Sequence, residues 1–188
     1  MRKTILLFIF IFSFIIICQS QEKGDFRLGL YGQGLSYRGK TLPQYGLVAE
    51  YFLSHKVSMN YRYGLSYNSD GQVGGHINPS LIGLAYLLYA GGGSSGEELI
   101  LSFMIPEGLS YHVYPKEFME VAPYINPLGS EINLTGNNTF DFSCSFGINV
   151  HVIPKKDMSI SPNLGGILLY RNGEVLPVLG LSFNYNFH

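Results

Sequence analysis

The stretch TFDFSCSFGINVHV, residues 139–152, sorts its side chains by parity. Phe140, Phe142, Cys144, Phe146, Ile148, Val150 and Val152 hold the even positions, and Thr139, Asp141, Ser143, Ser145, Gly147, Asn149 and His151 hold the odd ones. Successive side chains of a strand point to opposite faces, so this is a strand with one apolar side and one polar side. The apolar side must meet either a protein core or lipid. The rest of the chain decides between them.

The same alternation recurs in VSMNYRYGLSYN (57–68), in LGLSFNYNF (179–187) and across 98–113. Weaker strand candidates are 25–37, 44–54, 79–90, 118–133 and 158–170. The connections are short or rich in Gly, Ser and Asn, as in RGKTLPQ (38–44), NSDGQVGGH (68–76), AGGGSSGEE (90–98) and LTGNN (134–138). Asn172-Gly173 is a strong two-residue hairpin signal, because both central residues need positive φ. A hairpin centred there pairs Tyr170 with Val175 and Leu164 with Leu181. A turn centred on Lys155 pairs Val152 with Met158. One centred on His55 makes Glu50 and Arg62 diagonal neighbours on the polar face. In all three the apolar faces coincide, and a one-residue slip would invert them. The sequence therefore predicts a single antiparallel meander.

Composition points that apolar face toward lipid. Charged residues are 13% of the chain, against about 25% in an average soluble domain. A soluble barrel carries many Lys and Glu on its outer face. Here the polar face is mostly Ser, Asn, Thr and Gly, which suits a narrow interior. Strands of 9–11 residues or more match a bilayer crossing, and tyrosines gather near strand ends (Tyr37, Tyr67, Tyr89, Tyr111, Tyr170) as an interfacial girdle does. Past residue 20 no apolar run is long enough for a spanning helix. The alternative is an exported soluble barrel or sandwich, with the same apolar faces turned inward around an apolar ligand.

The N-terminus, MRKTILLFIFIFSFIIICQS, has two basic residues, an apolar run from Ile5 to Ile17, and small residues at Cys18 and Ser20. That is the layout of a secretory signal peptide over residues 1–20, cleaved between Ser20 and Gln21 to leave a domain of 21–188. The formal net charge of −1 offers no basic excess for a nucleic acid. Cys144 is then the one cysteine left, a small hydrophobe rather than half of a disulfide.

With its cleavable leader, its alternating strands and its terminal strand LGLSFNYNFH, the chain resembles the small single-domain outer-membrane β-barrels of Gram-negative bacteria. The resemblance implies an up-and-down transmembrane barrel in the outer membrane, surrounded by its lipid. It also implies insertion by the barrel-assembly machinery, which reads an aromatic at the end of the last strand. Here that aromatic is Phe187, followed by His188. Such barrels have an even strand number. The nine candidates above thus reduce to eight strands or extend to ten. Eight is the expectation, with an interior about filled by side chains.

No motif for chemistry survives inspection. The five histidines form no short metal-ligand pair. Gly32-Gln33-Gly34 lacks the third glycine of a dinucleotide loop, and AGGGSSGEE lacks the lysine of a phosphate loop. No cofactor, metal or catalytic set is expected. A lipid-modifying enzyme would need a His and Ser set, for which only His112 with Ser110 or His151 with Ser143 come near. Glu50, Arg62 and Asp141 are ionisable residues on the polar face. Inside a narrow barrel they should form a polar network, with Arg62 pairing Glu50. The expected role is structural, adhesive or envelope-interacting, with any extracellular or envelope ligand met by the loops.

Overall fold

The computed structural model describes residues 22–37, 40–67, 71, 73–78, 105–116, 118–133, 139–155 and 157–188. Ten antiparallel strands form one closed sheet. They are β1 (Phe26–Tyr37), β2 (Lys40–Ser54), β3 (Val57–Tyr67), β4 (Val73–Ile77), β5 (Gly108–Tyr111), β6 (Val113–Lys116), β7 (Met119–Asn133), β8 (Thr139–Lys155), β9 (Met158–Leu169) and β10 (Val175–Phe187). Most neighbours in sequence pair in space, and β1 pairs both β2 and β10, so the sheet closes on itself.

The ten strands make eight staves. β4 and β5 both lie between β3 and β7, one above the other. β4 meets Gly64–Tyr67 of β3, while β5 meets Val57–Asn60. β6 continues β5 downward along β7. Between them the wall is carried by single contacts. Glu107 N–H donates to the Asn60 carbonyl (2.8 Å), and Leu128 N–H donates to the Glu107 carbonyl (3.1 Å). The fourth stave is thus an interrupted one. The eight-stave expectation holds, and the strand candidates at 79–90 and over the first part of 98–113 lie outside the described residues. So do residues 1–20, expected to be a leader, and the Ser20–Gln21 junction expected as its cleavage site.

The Gly-rich segment 68–76, expected to be a connection, contains part of a stave. Its glycines permit the approach: a Cβ on Gly75 would lie 2.5 Å from the Gly64 carbonyl oxygen. Two hairpin registers also differ from expectation. Leu164 pairs Leu179 rather than Leu181, and Val152 pairs Ile160 rather than Met158. In the first, a four-residue loop replaces the two-residue turn. Leu169 N–H donates to the Glu174 carbonyl (2.8 Å) and Gly173 N–H to the Leu169 carbonyl (2.9 Å), with Gly173 in the left-handed region at φ 69°. Both shifts are of two residues, so parity and the choice of face are preserved. The His55 turn has the expected register, Glu50 opposite Asn60 and Val48 opposite Arg62.

Parity then answers the question of faces. Phe140, Phe142, Phe146 and Ile148 point outward, as do Leu30, Leu65, Leu164 and Leu179, each of these leucines 65–70% exposed. Such a continuous apolar exterior is covered by lipid, since no water-facing surface would carry it. Tyr67 and Tyr170 stand at the end bearing the turn 170–174, called the upper end here. Tyr111, Tyr185 and Phe187 stand at the lower end with the start of β1 and the end of β10. Along most of its length the lumen is lined by buried polar side chains. The soluble alternative, which needs the apolar faces inside, does not describe this molecule.

Candidate functional site

The lumen is the candidate site, and it is built in layers. The lowest is an ion-pair network centred on Arg27, which β1 projects inward between Asp25 and Gly29. Arg27 Nη1 donates to Glu50 Oε2 (2.8 Å), Nη2 donates to Glu120 Oε2 (2.8 Å) and Nε donates to Asn186 Oδ1 (2.8 Å). Its guanidinium also lies over the Phe52 ring, 5.2 Å from the centroid. All five residues are buried. Two carboxylates and one amide thus occupy the planar fork, an arrangement that an ammonium could not satisfy.

Two histidines complete this layer. His112 Nδ1 donates to Glu120 Oε1 (2.6 Å), and Ser58 Oγ lies 2.8 Å from His112 Nε2. His151 stands beside Arg27 and hydrogen-bonds Ser161. The Ser58–His112–Glu120 order is that of a hydrolytic relay, with a serine other than Ser110 and Ser143, the two that came near such a set in the sequence. Its surroundings do not suit hydrolysis. Ser58 is fully buried, and Phe52 packs on His112 with ring centroids 4.8 Å apart. Neither Ser58 nor His112 is among the residues lining the mid-lumen cavity or the mouth cavity. Glu120 is also already neutralised by Arg27. These groups hold one another in place.

Above lies a layer of amides and hydroxyls. Asn60 Nδ2 donates to Ser110 Oγ (2.9 Å) and to Asn126 Oδ1 (2.8 Å), and Asn126 Nδ2 donates to Ser145 Oγ (3.2 Å). Beside it are Arg62, over the Tyr31 ring at 5.3 Å, and His76. The His76 Nδ1 is 2.6 Å from Glu131 Oε1, and its Nε2 is 2.9 Å from Glu107 Oε1 but out of line for a hydrogen bond. Arg62 lines a mid-lumen cavity of about 40 Å³, room for about two or three waters. Among the described residues its Nε and Nη2 have no hydrogen-bond partner.

At the upper end the interior changes character. Leu35, Ile167, Leu169, Leu176 and Val178 point inward and pack together with Leu42. Above them opens a mouth cavity of about 310 Å³, whose polar wall includes Ser66, Glu131, Asn133, Thr139 and Asp141.

The three residues expected in one polar network are divided among these layers. Glu50 is in the lowest layer, held by Arg27 rather than by Arg62. Arg62 is one level up, with Glu107 and Glu131 as the carboxylates that act on it. Asp141 is partly exposed at the mouth, directly opposite Glu131 across the β7–β8 pair. Parity could have found Arg27 and Glu120, which share the inward phase of their strands. No sequence signal marked Glu107, because Pro106 directly precedes it and it lies outside the alternating run of β5.

An apolar exterior, a closed sheet of eight staves and an ion-paired interior define a small transmembrane β-barrel. No family model matches the sequence, and no curated protein matches it. Among solved structures the fold is similar to the N-terminal β-barrel domain of Pseudomonas aeruginosa OprF, with TM-score 0.60 and 13% identity over 89% of this chain and 100% of that one. It is also similar to the outer-membrane protein OprG of the same organism, with TM-score 0.52 and 8% identity over 91% and 99% of the two chains. At such identities the likeness is one of fold, and that fold is the small outer-membrane barrel.

Proposed function

We propose that this chain is an integral outer-membrane barrel that acts by its presence and by contacts at its upper rim, not by conduction or catalysis. The observation that carries this is the saturated Arg27 network, which fills the lower lumen with side chains bonded to one another. Water could pass only by breaking buried ion pairs, and a broad solute path has no room. The apolar exterior matches a bilayer. Phe187 near the end of the last strand suits recognition by the barrel-assembly machinery. Residues 1–20 act as a leader cleaved after Ser20, leaving 21–188 as the barrel domain. The upper rim is where an extracellular or envelope partner would be met.

Fractionating expressing cells, with gel electrophoresis of the membrane fraction before and after boiling, tests the placement. The expected result is an outer-membrane band whose mobility changes on heating and whose N-terminal residue is Gln21. Planar-bilayer recording on the same protein tests the closed lumen. Steady unitary conductance would overturn it.

A further inference from the structure

The mouth cavity is a site that a plugged structural barrel does not need. We propose that it binds a small amphiphilic cation, a short alkyl or aryl group carrying an ammonium. The inference rests on the lumen being closed below the cavity and not on which compartment the mouth faces.

The first argument is the change of inward-facing chemistry within single strands. β9 turns Ser159, Ser161 and Asn163 inward along its lower part and Ile167 and Leu169 above them. β10 turns Asn186 and Asn184 inward below and Val178 and Leu176 above. β1 likewise ends in Leu35 above Gln33 and Arg27. Three strands switch from polar to apolar at one level while keeping the same parity. The exteriors of β9 and β10 stay apolar throughout. β-propensity therefore cannot account for the switch, since it would act on both faces alike.

The second argument is the wall across the cavity. Glu131 and Asp141 oppose each other directly and point inward together. Like charges at directly opposed positions destabilise a sheet. Glu131 is relieved by His76, at 2.6 Å. Asp141 has no hydrogen-bond or ion-pair partner among the described residues, and a carboxylate at the edge of an apolar recess attracts a cation. The charge of the lumen agrees. Among the described residues its buried arginines are Arg27 and Arg62, against Glu50, Glu107 and Glu120 with Glu131 and Asp141 above them. Arg171, which also lines the cavity, belongs to the exposed turn at its rim.

The third argument is size. The volume of about 310 Å³ lies at the small end of ligand pockets, and one apolar wall facing a few polar groups is their usual make-up. A short apolar tail would cover Leu169 and Leu176 while its ammonium reached Asp141.

The full barrel, with its leucine and isoleucine methyls isotope-labelled, is placed in phosphatidylcholine nanodiscs and titrated with hexylammonium, hexanoate and hexanol. Saturable methyl shifts at Leu169 and Leu176 with hexylammonium are expected, with hexanoate about tenfold weaker, the scale of one charge-assisted contact. Asp141→Asn should weaken hexylammonium about tenfold and leave hexanol unchanged, with the rest of the spectrum preserved as evidence of folding. Shifts that never saturate, or appear only on the exterior leucines Leu164 and Leu179, mean partition into lipid and overturn the site. Equal affinity for hexanoate, or an Asp141→Asn variant that binds hexylammonium as well as the parent, overturns the cation.

Discussion

The two ends of the lumen solve the same problem differently. Both are enclosed by the same eight staves, with the same apolar exterior. The lower end closes itself: Arg27, Glu50, Glu120 and Asn186 satisfy one another within 2.8 Å. The upper end is left open, with packed leucines on one side of a cavity and the partly exposed Asp141 on the other. A sealed network gives stability only when every member is present, whereas an open mouth gives up little when one residue changes. Substitutions at the two ends should therefore differ in cost.

Arg27→Met breaks the contrast most severely. It leaves Glu50 and Glu120 buried without their cation, and breaking a buried pair in this way costs about 3–5 kcal/mol. Urea unfolding in phospholipid vesicles should show that loss, together with a lower temperature for the heat-induced gel shift. A loss below about 1 kcal/mol would mean that the carboxylates find water, and so that the lower lumen is wet.

The exterior supplies a reference common to both ends. Phe146 lies near the middle of β8 and faces outward, so Phe146→Arg places a cation in the hydrocarbon. The expected cost is about 2–4 kcal/mol, as for Arg or Lys at the midplane of other barrels. The same unfolding measurement checks it. A neutral result would mean that this face does not meet lipid.

How much of this was legible beforehand follows from what parity can and cannot carry. The strand at 139–152, the outward phenylalanines and the inward placement of Glu50 and Arg62 depend only on a two-residue period, which survives errors of register. Both misjudged hairpins slipped by two and kept their faces. Partner choice is different, because it depends on geometry across the lumen. The His55 turn did place Glu50 diagonal to Arg62, yet Arg27 from the neighbouring strand reaches the carboxylate. β4 was illegible because its glycines, which allow close packing against Gly64, read as a loop. Ile167, Leu169, Leu176 and Val178 share the polar phase of their strands, and their packing together below a cavity lined by Leu169 and Leu176 follows only from the closed barrel.

At the upper end, Leu176→Ala removes part of the apolar wall. Deletions of this size cost about 2–5 kcal/mol in a closed core. Leu176 already borders a cavity, so the value should fall at about 2 kcal/mol, less than for Arg27→Met. Vesicle unfolding tests the ranking. A cost as large as that of Arg27→Met would show the upper cluster to be a second plug and would weaken the case for an open mouth.

The smallest effect expected on stability is at Asp141. If its carboxylate belonged to the interior network, Asp141→Asn would unbalance buried charge and cost several kcal/mol, as at the lower end. At the mouth it is partly exposed and opposes Glu131, so removing its charge relieves a like-charge contact and gives up no ion pair among the described residues. The expected change is within about 0.5 kcal/mol, the range of a surface substitution, and a small gain is the more natural sign. Glu120→Gln is the matched comparison, since it removes the same charge where Arg27 depends on it. If both variants cost the same, the division of the lumen into a sealed end and an open one is wrong. If only Glu120→Gln is costly, the Asp141 carboxylate is kept for something other than the stability of the barrel.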